Sequence, residues 1–291
     1  MKVICAEVMG LCFGVRGALA VIDRIEEPRA VSIHGQLVHN EVVLEDLKAR
    51  GFRSADEQER SAPTGGPGGT VLITAHGISD RERHRLEAAG ARLIDTTCPL
   101  VLRVHQAART LQAQGYHVLV LGRKGHVEVR GVVEDLDSVD VVEDERDAVR
   151  FEHPRLGIVC QTTVPAERVR ALRDLIAARN PDAEIRFIDT VCLPTKEHQR
   201  SLERLLEEVE AVVVVGGRNS NNTRELVERC RGRGRPVFHV ATVADLDRPA
   251  LEEYAVVGLT AGTSTLDRTI DEVHRALLEI EPAAMAAGAA R

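Results

Sequence analysis

This chain repeats itself. Ile94-Asp-Thr-Thr-Cys98 returns 94 residues later as Ile188-Asp-Thr-Val-Cys192. The same offset, without a gap, lays Val118-Leu-Val-Leu-Gly122 on Val212-Val-Val-Val-Gly216, and Gly125 to Glu128 on Asn219 to Asn222. An upstream copy is shifted by 87: Val31-Ser-Ile-His-Gly35 falls on Val118 to Gly122, and the match runs on to put His39 on His126 and Glu41 on Glu128. Cys12 falls near Cys98 at an offset of 86. Self-similarity of this kind marks one supersecondary unit used several times.

The unit is of α/β type. Val71–Thr74, Val118–Leu121, Gly157–Val159, Val212–Val215 and Val256–Leu259 are short β-branched runs of the kind buried on both faces of a parallel sheet. Helical stretches such as Val101–Gln114, Ala166–Arg179 and Leu202–Val209 alternate with them, which predicts βαβ units. The 291 residues divide into repeats at 14–97, 98–191 and 192–281, with the strand in 1–13 joining the third and 282–291 a flexible tail. Ser61–Gly69, rich in Gly and Pro, reads as a surface loop. Ligands of open α/β sheets bind at the carboxyl ends of the strands. Three such units about a pseudo-threefold axis would aim their loops at one centre.

Six cysteines are too few for a disulfide scaffold, and no Cys-x-x-Cys pair is present for a zinc ribbon or a thioredoxin-like redox site. Cys12, Cys98 and Cys192 repeat; Cys5, Cys160 and Cys230 do not, and read as packing residues. Three thiolates on separate loops suit a soft metal centre, either zinc with one more ligand or an iron–sulfur cluster with one iron left open. Spacing alone does not separate the two.

The polar loops extend the pattern. His39, His76 and His126 lie at the ends of strands, and Glu128 follows His126 by two, which along an extended segment puts both on one side. A carboxyl group there becomes a proton donor if an apolar site raises its pKa. Thr162, Thr163, Ser220, Asn221, Asn222 and Ser264 are neutral donors at the starts of helices, a setting that serves either ordinary capping or a phosphate or diphosphate pocket. No P-loop and no dinucleotide fingerprint is present.

Composition narrows the partners. A net charge of -7 and only two Tyr, five Phe and no Trp argue against nucleic-acid binding. No apolar run is long enough to span a membrane. Met1-Lys-Val-Ile-Cys5 reads straight into a strand, so no secretory leader and a cytoplasmic location are expected.

Taken in order, Gly10-Leu-Cys12-Phe-Gly-Val15, Val38-His39-Asn40, Ala75-His76-Gly77, Asp95-Thr-Thr-Cys98-Pro-Leu-Val101, Gly125-His126-Val-Glu128-Val129, Gln161-Thr-Thr163, Val215-Gly-Gly-Arg-Asn-Ser220 and Thr260-Ala-Gly-Thr-Ser264 resemble the LytB/IspH family of 4-hydroxy-3-methylbut-2-enyl diphosphate reductases over nearly the whole chain. The resemblance implies three similar α/β domains, trefoil-like, around a central [4Fe–4S] cluster. It implies Cys12, Cys98 and Cys192 as cluster ligands and Glu128 as proton donor. His39, His76 and His126 would contact the diphosphate, His126 also lying on the proton path. Thr162, Thr163, Ser220, Asn221, Asn222 and Ser264 would complete the substrate pocket. The implied reaction is reductive dehydroxylation of the hydroxylated allylic diphosphate to isopentenyl and dimethylallyl diphosphate, the last step of the methylerythritol phosphate route. Its electrons would come from a ferredoxin- or flavodoxin-type donor.

The chain departs from the family pattern at Val127, Pro194, His198 and Asn221, where Pro, Ala, Arg and Ser are usual; Asn221 exchanges a hydroxyl for an amide that still donates two hydrogen bonds. Two other readings use the same residues: a zinc-dependent hydrolase of a phosphorylated substrate with Glu128 as base, and a diphosphate-binding sensor without turnover.

Overall fold

The structure is a computed structural model that describes residues 1–54 and 69–282. The expected loop at Ser61–Gly69, except Gly69, and the expected tail beyond Pro282 lie outside the described residues. Among the described residues the strands form three four-stranded sheets, every pairing parallel. The chain opens on β1 (Lys2–Cys5). One sheet holds β2 (Val31–His34), β3 (Arg53–Ser54), β4 (Thr70–Ile73) and β5 (Arg92–Asp95) in the order β3-β2-β4-β5. The next holds β6 (His117–Leu121), β7 (Val139–Val142), β8 (Arg155–Cys160) and β9 (Glu184–Phe187) in the order β7-β6-β8-β9. The last holds β10 (Ala211–Val215), β11 (Val237–Val240) and β12 (Val256–Ala261) in the order β11-β10-β12, with β1 on the free side of β12. All three orders are the same topology, and β1 takes the place that β5 and β9 take in the other two sheets.

The helices are α1 (Phe13–Ile22), α2 (Glu41–Ala49), α3 (Asp80–Ala88), α4 (Pro99–Ala113), α5 (Val127–Val133), α6 (Ala166–Arg179), α7 (Leu193–Leu206), α8 (Asn221–Gly232), α9 (Arg248–Leu251) and α10 (Asp267–Leu278). By internal contacts the described chain forms two compact units. One contains Met1–Phe13, Val38–Asp46 and the residues from Leu193 on; the other contains Gly14–Leu37 and Leu47–Cys192.

The strand patterns follow from position in the sheet. His-Val-Leu-Val-Leu of β6 and Ala-Val-Val-Val-Val of β10 are buried throughout, as central parallel strands covered on both faces must be. Alternate side chains serve the two layers. Leu119 and Leu121 pack with Val169, Leu172 and Ile176 of α6, while Val118 and Val120 pack with Val104, Ala108 and Leu111 of α4. Val213 and Val215 likewise meet Ile270, Val273 and Leu277 of α10, and Val212 and Val214 meet Leu202 and Leu205 of α7 and Leu226 of α8. The edge strands carry charge instead: Arg92 and Asp95 end β5, Glu184 and Arg186 alternate along β9, and Lys2 opens β1. Charged edges resist pairing with a second chain.

The helices that follow Cys98 and Cys192 are docked in the same way. Leu111 stands thirteen residues after Cys98 and Leu205 thirteen after Cys192. Leu111 lies over Gly157 of β8, where an added Cβ would sit 3.0 Å from its side chain, and Leu205 lies over Gly258 of β12, also at 3.0 Å. Both glycines are the third residue of their strand. The missing Cβ lets each helix settle close to its sheet, so the cysteine at its start is set by backbone packing.

Three expectations change in detail. Helix α7 begins at Leu193, nine residues before the apolar run that announces it, because Pro194 falls in the first turn, where its missing N–H is harmless. Cys160 and Cys230 are buried as packing residues, but Cys5 is exposed at the end of edge strand β1. His126 and Glu128 do not lie along an extended segment: His126 caps α5 and Glu128 is in its first turn.

Candidate active site

Each repeated cysteine occupies the same turn. It follows an edge strand, it immediately precedes a helix, and its N–H donates to a carbonyl in the polar loop after the neighbouring strand. Cys98 N–H reaches Ala75 O at 3.1 Å, Cys192 N–H reaches Thr162 O at 3.0 Å, and Cys12 N–H reaches Thr263 O at 3.0 Å. The Asp-Thr-x-Cys sequence explains two of the turns. The carboxylate of Asp95 accepts from Thr97 N–H at 2.8 Å, and that of Asp189 from Val191 N–H at 3.1 Å. The hydroxyls of Thr96 and Thr190 donate to Ile73 O and Cys160 O, each at 2.6 Å. None of the three is in a disulfide, and all three are half-buried. This donor set fits an iron–sulfur cluster: three soft ligands whose own backbone donors are already used. Among the described residues no three or more His, Cys, Asp or Glu side chains are gathered into a metal site; the cysteines stand on separate turns.

The acid stands in the unit that contains Cys98 and Cys192. His126 Nδ1 accepts from Glu128 N–H at 3.1 Å, so in the neutral ring the proton is on Nε2. Glu128 is 3% exposed. Its Oε1 accepts from Thr162 N–H at 2.7 Å and its Oε2 from the Thr162 hydroxyl at 2.9 Å. Burial pushes its pKa from about 4.5 up to about 7, against the downward pull of the two Thr162 bonds. When Glu128 is protonated the Thr162 hydroxyl can turn and accept, since it works in both directions. His76 meets His126 edge to face, with ring centroids 5.8 Å apart. The Thr163 hydroxyl is 3.4 Å from Gln161 Nε2, and Gln161 Oε1 accepts from Arg123 N–H at 3.0 Å, which fixes the loop after β8 against the loop after β6.

The other unit contains Cys12, His39, Ser220, Asn221, Asn222 and Ser264. Ser220 caps α8, its hydroxyl accepting from Thr223 N–H at 3.3 Å, and Asn221 and Asn222 form the first turn. Asn222 Oδ1 accepts from Thr263 N–H at 3.0 Å. Its Nδ2 and the hydroxyl of Ser264 are buried polar atoms with no protein partner, which is costly unless a ligand completes them. Asn40 ties the pocket together: its Nδ2 donates to Ser264 O at 2.8 Å, and its Oδ1 accepts from Val42 N–H at 3.0 Å at the start of α2. The His39 carbonyl lies against Gly217, where a Cβ would be 2.4 Å away, so only glycine allows that approach.

The repeat shows what differs between the two units. Glu128 and Asn222 stand at equivalent places, and each accepts the N–H of the threonine whose carbonyl holds a cysteine. In one case the side chain is an acid; in the other it is an amide with two donors to spare. Sequence reasoning did not single out Asn40 or Gln161 as site residues. An Asn between a strand and a helix is the available signal for the first; Gln161 has none.

Comparisons with known proteins bear on the chain as a whole. The family model described as LytB protein matches residues 3–278. A 4-hydroxy-3-methylbut-2-enyl diphosphate reductase from Dictyoglomus turgidum is 32% identical over 285 residues, covering 97% of this chain and 98% of its own. One from Aquifex aeolicus is 33% identical over 290 residues, covering 96% and 97%. A solved structure of (E)-4-hydroxy-3-methyl-but-2-enyl diphosphate reductase, described as the terminal enzyme of the non-mevalonate pathway, superposes with a TM-score of 0.66 at 32% identity, covering 96% of this chain and all of that one. The Plasmodium falciparum reductase, at 24% identity with a TM-score of 0.85, covering 94% and 87%, shares the fold. With the family model matched along nearly the whole sequence and relatives above 30% identity over almost all of both chains, the chain belongs to the LytB family.

Proposed function

We infer that this protein is a 4-hydroxy-3-methylbut-2-enyl diphosphate reductase, which removes the substrate's hydroxyl group as water while adding two electrons and two protons, giving isopentenyl and dimethylallyl diphosphate. The observation that carries the reading is Glu128, a carboxyl group that burial keeps half-protonated near neutral pH, on a helix capped by His126. The full-length relatives named for this activity support it. They give no support to a zinc hydrolase or to a sensor without turnover.

Cys12, Cys98 and Cys192 would hold a [4Fe–4S] cluster. When bound, it would supply the electrons and a Lewis-acidic iron for the substrate hydroxyl. The chain's own groups do the rest. Glu128 delivers a proton to the departing oxygen, and the Thr162 hydroxyl holds that proton until transfer. His126, with Nδ1 occupied by Glu128 N–H, keeps Nε2–H as its donor in the neutral ring. His39, His76, His126, Asn221, Asn222, Ser220, Ser264 and Thr163 bind the diphosphate through neutral or charge-assisted hydrogen bonds. The reductant is a ferredoxin- or flavodoxin-type protein. Among the described residues no helix is long and apolar enough to cross a membrane.

The test is anaerobic purification, iron and sulfide quantitation, and a reductase assay on the hydroxylated allylic diphosphate. About four irons and four sulfides per chain with turnover are expected. Cys98→Ser should lose iron, sulfide and turnover together. A colourless preparation with full turnover, or zinc without sulfide, would overturn the reading.

A further inference from the structure

Helices α3, α4 and α5 each start at a site residue or one turn beyond it. Cys98 caps α4, His126 caps α5, and α3 begins four residues after His76. Their far or near ends meet at one carboxylate. Asp135 follows α5 and is 6% exposed at its side chain. Its two oxygens accept from the first two backbone N–H groups of α3: Asp80 N–H to Oδ2 at 2.8 Å and Arg81 N–H to Oδ1 at 3.1 Å. The third donor, Glu82 N–H, goes to the Ser79 hydroxyl at 3.0 Å, and that hydroxyl in turn donates to Glu134 Oε2 at 2.8 Å. So the opening of α3 is satisfied by two consecutive acids of another helix's end. Arg109 of α4 completes the node: it pairs with Asp80 and lies 3.7 Å from Asp135. His105 of α4 is also near, at 3.9 Å, but burial lowers its pKa, so it stands there neutral.

A helix can cap its own N-terminus with one local side chain. Here a buried charge from α5 does it, and a buried carboxylate is stable only with such donors and a cation around it. The bond therefore fixes the end of α5 to the start of α3 in direction as well as distance. Asp135 is seven residues from Glu128, about 10 Å along the helix axis. The node grips α5 at the end opposite His126 and Glu128, and α3 at the end nearest His76.

We propose that Asp135, with Glu134 beside it, is a positioning residue that holds the His76 loop in register with the helix carrying His126 and Glu128. The role in diphosphate binding rests on the function inferred above; the mechanical claim does not.

The test compares wild type, Asp135→Asn and Asp137→Asn as anaerobic holoenzymes. Asp137→Asn is the control, because it removes only the exposed pair with Arg81. Amide hydrogen exchange is followed at 76–82 and 126–132, and inorganic pyrophosphate affinity by calorimetry. Replacing the charge by an amide should speed exchange about tenfold in both segments and raise the pyrophosphate Kd about tenfold, the scale of one lost charge-assisted hydrogen bond. A smaller folded fraction lowers binding stoichiometry and leaves Kd alone, so the two causes separate. Glu134→Gln should act in the same direction, more weakly, and serves if Asp135→Asn does not fold. Faster exchange confined to 79–82 with an unchanged Kd would overturn the proposal, leaving Asp135 a helix cap. If wild type itself fails to bind pyrophosphate, the diphosphate reading falls, and exchange at 126–132 still decides the register claim.

Discussion

Glu128→Gln separates the buried acid's chemistry from its packing. The amide is nearly isosteric: its oxygen can keep Thr162 N–H, and its Nε2 can donate to the Thr162 hydroxyl. What it removes is titration. A carboxyl group raised from about 4.5 to about 7 by folding binds more protons in the native than in the unfolded chain between those values, so stability falls as pH rises through that window and the loss is complete above 7. At 1.36 kcal/mol per unit the loss is about 3 kcal/mol. The variant lacks this loss. Its stability relative to wild type should therefore climb by about 3 kcal/mol from pH 4.5 to pH 8.5, read as the difference between the two in urea unfolding at matched pH, where every other group cancels. Turnover should move oppositely. Wild-type rate should fall about tenfold per pH unit above 7 as the protonated fraction shrinks, and the variant should lose at least a hundredfold at every pH. Parallel stability curves for the two proteins from pH 5 to 9 would refute the burial argument.

Asn222→Asp keeps the acceptor for Thr263 N–H but turns the buried donor into an anion, so pyrophosphate affinity should drop more than tenfold with little change in stability below pH 4, checked by calorimetry and urea unfolding. Gly157→Ala places a methyl group 3.0 Å from Leu111 and should cost about 1–3 kcal/mol in urea; adding Leu111→Val should recover part of it. Ser264→Ala removes a buried hydroxyl with no protein partner, so it should leave the melting temperature within a degree or two while weakening pyrophosphate binding severalfold.

How much of this could be read from the residues depends on how local the cause is. The Val-rich runs of β6 and β10 announce themselves, because a strand covered on both faces needs apolar side chains at every position. The gapless offset of 94 places Glu128 on Asn222 and Cys98 on Cys192, and the structure gives each pair the same backbone bonds. Other features escape because their causes are distant. Helix α7 hides its first turns behind Pro194 and polar residues whose burial is set by neighbouring elements. Cys5 resembles a packing residue in a strand-like run, yet being last on an edge strand leaves it exposed. Glu128 reads as a candidate acid, but its pKa depends on burial, which no spacing reveals. Asp135 is one acid among many until α3, 55 residues upstream, is seen to start on it.

The pairing of β1 with β12 sets an order of assembly. Lys2 lies opposite Val256 and Cys5 opposite Leu259, and Cys12 N–H waits for Thr263 O. A ribosome adds about 5–20 residues per second, so tens of seconds separate the synthesis of the two strands. During that interval the turns of Cys98 and Cys192 already have both partners, since Ala75 and Thr162 precede them in the chain. The Cys12 turn has neither its sheet nor its carbonyl. The first of the three cysteines to be made is therefore the last whose turn can close, because its partner carbonyl, Thr263 O, belongs to one of the last residues synthesised.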